Sequence, residues 1–372
     1  MRRLLRFVVR PAVLAPLAVL LIASSIGAYA LRSRAAVPAR TAAPFIGPPV
    51  VDIDDFGGLG KSYPTPSPPP AAPAPTPTPT PEPPPAPKKT VAAAPKPKGP
   101  SLSAFKKLGA WVDLYDYAAI DPEPASADMA ARGVKTLYLQ TARWNKPAPD
   151  DPNVFQDMPL VERWVHAAHA NGMRIVGWYL PAYEDMGRDV TRTKAIATYR
   201  TSAGQRFDAL AIDIEYKGQM SSLSEWNAAI VEHIRRVRSK VGAAYPIGAI
   251  VPSALAMEIY PQNWVGFPWK SIAAYANVFM PMAYWSYRHD CDSKPEHCPY
   301  GYTAGNVQRV RELTGKPGLP VHVIGGVADG INTQEVSDFV KAALAVKVYG
   351  ASLYDYRTTK AEYWAPLQKL NV

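Results

Sequence analysis

Cysteine is scarce here, with only Cys291 and Cys298 among 372 residues. No redox-cysteine motif, no serine in a nucleophile motif and no cofactor fingerprint is present, and no Gly-rich loop follows the first strand-like run to hold a nucleotide phosphate. Acidic residues are scarce in one region only. Residues 1–100 carry 12 of the 41 Lys and Arg against four acids, Asp52, Asp54, Asp55 and Glu82, whereas residues 101–372 carry 29 basic and 27 acidic side chains. Most of the net charge of +10 therefore belongs to the first hundred residues. With no basic stripe and interleaved aromatics in the remainder, nucleic acid is excluded as a partner.

Arg2, Arg3, Arg6 and Arg10 precede an uncharged run from Pro11 to Leu31, and Arg32 and Arg34 follow it. About 20 apolar residues suffice to cross a hydrocarbon core as a helix. Basic residues on the leading side favour an inside N-terminus and an exported C-terminus. Residues 1–34 thus predict a membrane anchor; the "AYA" at Ala28 to Ala30 keeps a cleaved signal, and hence secretion, as the alternative. Residues 35–100 form a linker, dominated from Pro64 by Pro, Ala and Thr. Such a stretch has no core to bury and is expected to extend as polyproline II, reaching roughly 100 Å at about 3.1 Å per residue.

From Ser101 to Val372, strand-like apolar runs alternate with helical patterns. The strand candidates are 109–117, 134–141, 174–181, 207–215, 246–253, 277–285, 320–328 and 349–356. Between them, runs such as "LSEWNAAIVEHIRRVRSKVG" space their apolar residues for one helix face, and "MPLVERWVHAAHANG" stops at Asn-Gly. Eight such units in about 270 residues predict an α/β fold of the (β/α)8 TIM barrel type, with a doubly wound open sheet as the alternative.

The fourth run, "FDALAIDIEY" from Phe207 to Tyr216, carries the chemistry. Read with period two, Leu210, Ile212 and Ile214 face the helices, Ala209 and Ala211 face the barrel interior, and Asp213 and Glu215 point into its C-terminal mouth. Two carboxylates in that setting are costly through desolvation and mutual repulsion. The same cost raises a pKa and keeps one carboxyl protonated as a general acid.

These residues resemble family 18 glycoside hydrolases, the chitinase-like barrels, whose fourth strand carries Asp-x-x-Asp-x-Asp-x-Glu. Asp208, Asp213 and Glu215 match, and Ala211 stands at the second Asp. "MPMAYW" is similar to the Met-x-Tyr pattern of the sixth strand through Met282 and Tyr284. The resemblance implies Glu215 as proton donor, Asp213 holding the substrate's acetamido group and Tyr284 assisting it. Strand three lacks the family's Ser-x-Gly-Gly, and fewer than 25 residues separate strands seven and eight, so the insertion that deepens some chitinase grooves is missing and an open groove follows. "DIEY" also resembles the acid motif of family 25 muramidases, again with Glu215 as acid.

Asp113, Asp116 and Asp355, near the rim ends of strands one and eight, are candidate second carboxylates. Trp178, Trp285 and Tyr356 are candidate sugar-stacking platforms, since aromatic rings offer flat apolar faces. An ion-pair network of Asp213 and Glu215 with Lys217 or Arg143 is the bland alternative. Cys291 and Cys298 predict a disulfide in an exported chain, with a zinc site drawing on His289 and His297 as the lesser alternative; no metal and no cofactor is expected. The expected whole is a membrane-tethered, exported glycoside hydrolase with a monomeric domain, acting on a polysaccharide of N-acetylated amino sugars. A glycan-binding barrel without turnover and a structural envelope protein are the alternatives.

Overall fold

The computed structural model describes residues 99–288 and 290–372. The expected anchor at 1–34, nearly all of the linker and His289 lie outside the described residues. No helix among the described residues is long and apolar enough to cross a membrane.

Eight parallel strands close into a barrel in chain order: β1 (Lys107–Val112), β2 (Thr136–Arg143), β3 (Arg174–Leu180), β4 (Ala209–Asp213), β5 (Ile247–Pro252), β6 (Val278–Met282), β7 (His322–Val327) and β8 (Gly350–Tyr354). All eight expected runs are strands. Closure is made by β1 on β8, with Lys107 opposite Gly350 and Leu108 opposite Ala351, and this pairing rules out the doubly wound open sheet. Seven of the strands end at the rim before their apolar runs do, while β2 continues two residues past its run, to Arg143. After β1, for example, the amide of Tyr115 donates to the Asp113 carboxylate at 2.7 Å and the amide of Asp116 to the Asp113 carbonyl at 3.1 Å, which turns the chain off the ladder.

Several helices form where the sequence supplies both a cap and a face. Ser222 accepts from the Glu225 amide to start Leu223–Val241, whose buried Trp226, Ile230, His233, Ile234 and Val237 share one face. Asp157 caps Met158–Ala170 in the same way, and Gly172 at φ 70° ends that turn where Asn-Gly predicts it.

Period two along β4 separates two layers. Leu210, Ile212 and Ile214 pack in the shell between strands and helices. Ala209 and Ala211 lie in the barrel interior with Phe105, Trp111, Tyr138, Trp178 and Met282. Trp111 stacks on Tyr138 with ring centroids 4.4 Å apart. Small residues make room for these rings: a Cβ on Gly109 would lie 2.5 Å from the Tyr138 ring. A buried polar chain crosses the same layer, with the Trp111 indole N–H donating to Ser352 Oγ at 2.7 Å and His322 reaching Ser352 Oγ at 3.0 Å and the Phe105 carbonyl at 3.0 Å. Those contacts satisfy groups that would otherwise be costly inside.

Candidate active site

The C-terminal ends of β4, β6, β8 and β1 bring the ionisable groups together. Asp213, the last residue of β4, is 6% exposed, and its Oδ1 is buried without a hydrogen-bond partner. Burial, and then the neighbouring Glu215, push its carboxyl well above the usual aspartate range. Glu215 sits one layer higher. A face of it is open to solvent through the mouth, while the protein packed around the rest disfavours its charged form and lifts its pKa to about 7. Among the described residues neither carboxylate makes an ion pair. Arg143, one of the expected counterions, stacks its guanidinium over Tyr115 and Trp144 at 5.1 and 5.2 Å and donates to the Tyr115 hydroxyl.

Ala211 explains why Asp213 lacks a partner beneath it. Position 211 is fully buried on the inward face, two residues below Asp213, and an alanine there offers no hydrogen bond. Its register neighbour on β3 is Trp178, so an indole stands beside the small residue. Tyr284, two residues past the end of β6, is half-buried, and its hydroxyl is held well above its ordinary pKa first by burial and then by Glu215 and Asp213. The Tyr284 ring lies 6.2 Å from that of Tyr354, and the Tyr354 hydroxyl donates to Asp113 Oδ2 at 2.7 Å. Met282 closes β6 in the inner layer.

Asp113, Asp116 and Asp355 meet on the β1–β8 side of the mouth. All three are buried, and one carboxylate oxygen from each lies within 4.8 Å of the others. Asp116 accepts from Arg357 at 3.1 Å, Asp355 from the Thr358 amide and hydroxyl, both at 2.9 Å. Burial and the two neighbouring carboxylates raise Asp116 to about 6.

Several expected residues stand elsewhere. Trp285 is no platform: β6 ends at Met282, a turn over Trp285–Tyr287 swings the indole outward onto Phe339 and against Gly325 and Gly326, and it is 2% exposed. Tyr356 is corrected likewise, because its hydroxyl donates to Asp128 at 2.8 Å and its ring meets Trp364. It lines an outer cavity of about 500 Å³ with Ile120, Arg132 and Trp364. Trp178 is buried in the barrel interior, where its ring lies 5.9 Å from Trp111, and offers no open face. Asp208 precedes β4 and so lies at the opposite end of the strand from Asp213, bonded to His169, Arg174 and the Ile175 amide; its part is structural. Cys291 and Cys298 form a disulfide with Cα atoms 4.7 Å apart. His297 pairs with Asp290 at 2.6 Å, so the zinc alternative has lost both its thiolates and this imidazole.

The open aromatic surface is built from residues the sequence reading missed. Trp144, just past β2, stacks on Tyr216 at 4.1 Å, and Tyr216 directly follows Glu215. Both are partly exposed. Their signal in the sequence is position: each lies one to three residues past a strand end, where a barrel places its rim.

No protein-family model and no curated protein matches this chain. Among solved structures it is similar to a family GH18 chitinase from Cycas revoluta in complex with allosamidin, at 12% identity and TM-score 0.52, over 72% of this chain and 100% of that one. A plant class V chitinase mutant from Cycas revoluta in complex with (GlcNAc)3 gives 13% identity and TM-score 0.52, over 72% of this chain and 100% of that one. A GH5_18 from Bifidobacterium longum subsp. infantis gives 11% identity and TM-score 0.54, over 71% of this chain and 78% of that one. At such identities the likeness is one of fold, and in fold the chain is a (β/α)8 barrel of the kind found in these glycoside hydrolases.

Proposed function

We propose that the chain is a glycoside hydrolase acting on a polysaccharide that contains N-acetylated amino sugars, with Glu215 as the general acid. One observation carries this reading: a buried carboxylate with an unmatched acceptor, Asp213 Oδ1, stands beside a carboxyl lifted to about 7, Glu215, in the mouth of a closed barrel. The similarity in fold to barrels crystallised with allosamidin and (GlcNAc)3 supports the substrate class.

Near neutral pH the raised pKa values leave the pair holding a proton that two ordinary carboxyls would have lost. An acetamido N–H donating to Asp213 Oδ1 favours the ionised form there and leaves that proton on Glu215. Glu215 then protonates the glycosidic oxygen as the C–O bond breaks, and the acetamido oxygen attacks the anomeric carbon from within the substrate. Ionised Asp213 stabilises the positive charge on the cyclised group, and Tyr284 donates to its oxygen. Glu215, now a base, takes a proton from the water that reopens the ring. Substrate assistance of this kind needs no second enzyme carboxylate at nucleophile distance.

The test is hydrolysis by the purified full-length chain of acetylated and deacetylated oligosaccharides of one series, scored by new reducing ends. Cleavage confined to the acetylated series is expected. Equal cleavage of both would send the second role to Asp113, Asp116 or Asp355. A glycan-binding barrel without turnover is the second reading, favoured by Ala211, which removes the carboxylate beneath Asp213. Bound oligosaccharide with no new reducing ends would establish it. We further propose that the domain is exported and tethered, on the charge pattern around Pro11 to Leu31; a soluble product beginning near Leu31 would show cleavage instead.

A further inference from the structure

We propose that Asp113, Asp116 and Asp355 form a binding site for a hard divalent cation of the Ca²⁺ type, beside the carboxylate pair of β4 and separate from it. The three residues come from the two strands that close the barrel, β1 and β8, and one oxygen of each lies within 4.8 Å of the others. With Ca–O distances of about 2.3–2.6 Å, opposed ligands of one Ca²⁺ stand up to roughly 5 Å apart, and the separations within the cluster fall in that range. An all-oxygen donor set selects Ca²⁺, Mg²⁺ or Mn²⁺ over zinc or copper.

A cluster of acids alone would not suffice, since carboxylates often gather without a ligand. The independent observation is at Asp116. It is 0% exposed, and although Oδ1 takes one hydrogen bond from Arg357, Oδ2 is buried with no hydrogen-bond partner. A buried carboxylate oxygen without a donor is among the costlier groups a protein can hold, and a cation supplies what is missing. Charge points the same way. Arg357 pairs with Asp116 from a side chain that is half open to water, and a divalent cation would draw on all three carboxylates at once. The enclosure suits a small ion better than the ammonium of a substrate sugar, because Asp113 and Asp355 are 4% and 2% exposed.

The other groups around the cluster are arranged as supports. The Tyr354 hydroxyl and the Tyr115 amide each donate to one oxygen of Asp113. Thr358 holds Asp355 through both its amide and its hydroxyl. Second contacts of this sort fix the orientation of metal-binding carboxylates.

The site stands whether or not the barrel turns over glycan, so its test reads binding. Ca²⁺ is titrated by calorimetry into the EDTA-treated full-length chain, with Mg²⁺ in a parallel arm, and Tb³⁺ emission excited through tyrosine serves as a second readout. The Tyr354 hydroxyl, 2.7 Å from Asp113, is the expected antenna. One Ca²⁺ per chain, a rise in Tm with added Ca²⁺ and at least a tenfold weaker Kd in both Asp116→Asn and Asp355→Asn are the results expected. Absence of heat and of Tm shift at millimolar Ca²⁺ in the wild-type chain overturns the proposal. So does binding that survives both substitutions, and so does a preference for Mg²⁺ over Ca²⁺.

Discussion

A general acid works only while it holds its proton, and Glu215 makes that requirement measurable. Its carboxyl is lifted from an ordinary 4.5 to about 7 by the protein around it. Near neutral pH such a group holds a larger share of its protons than a glutamate at its ordinary value, so the environment raises the competent fraction. The sign follows from the role. Below pH 7 the acid is loaded; above it kcat/KM should fall about tenfold for each pH unit. The assay is initial-rate hydrolysis of an N-acetylated oligosaccharide from pH 4 to 9, with fold monitored by circular dichroism at each pH. Asp213→Asn should lower kcat far more than it alters binding, and it should shift the alkaline limb, because the two carboxyls titrate as a pair. Glu215→Gln should cost about 10²- to 10⁴-fold in kcat, since an amide has no proton to give. A limb near 4.5, or wild-type turnover in Glu215→Gln, refutes the assignment.

Three further outcomes concern stability. Reducing Cys291–Cys298 should cost about 2 to 3 kcal/mol, because the closed loop spans a sequence separation of only 7 and little unfolded-state entropy is at stake; denaturant melts with and without reductant measure it, and barrel unfolding on reduction would contradict it. His233 and His322 are fully buried and their pKa values are lowered from 6.5 to about 4 by that burial. Their stabilising neutrality is complete above pH 6.5 and lost as pH falls through the window down to 4, at about 3 kcal/mol each, so His322→Gln should flatten the acid side of the stability profile. Gly109→Ala should destabilise by about 1 to 3 kcal/mol, since the new methyl would lie 2.5 Å from the Tyr138 ring; an unchanged Tm would show that the ring yields freely.

The parts of the molecule legible in the sequence are those governed by local period. Alternation along β4 put Leu210, Ile212 and Ile214 in one layer and Ala209 and Ala211 in the other, and it aimed Asp213 and Glu215 at the mouth. The same rule failed at Trp285, because alternation holds only while the strand continues and β6 had already ended at Met282. Long-range neighbours were illegible for another reason. The bond from Tyr354 to Asp113 and the meeting of Asp355 with Asp113 and Asp116 depend on β1 lying beside β8, and no period within either strand records that. Trp144 against Tyr216 is a similar case, joining the ends of β2 and β4 across the top of β3.

The pairing of Lys107 with Gly350 also has a bearing on how the molecule comes to exist. Its two halves are more than 240 residues apart in the chain, so the closing seam forms between the earliest strand and the last, and a large loop-closure entropy must be met before it forms. Until β8 is in place, β1 and β7 each present a bare edge of unpaired amides and carbonyls, the feature that invites another chain to add itself on. A ribosome or export channel delivering this domain N-terminus first would therefore hold it unfinished until nearly its whole length had emerged. A chaperone that shields strand edges would matter most during that interval, and a chain stopped short of Gly350 should aggregate instead of folding into a smaller barrel.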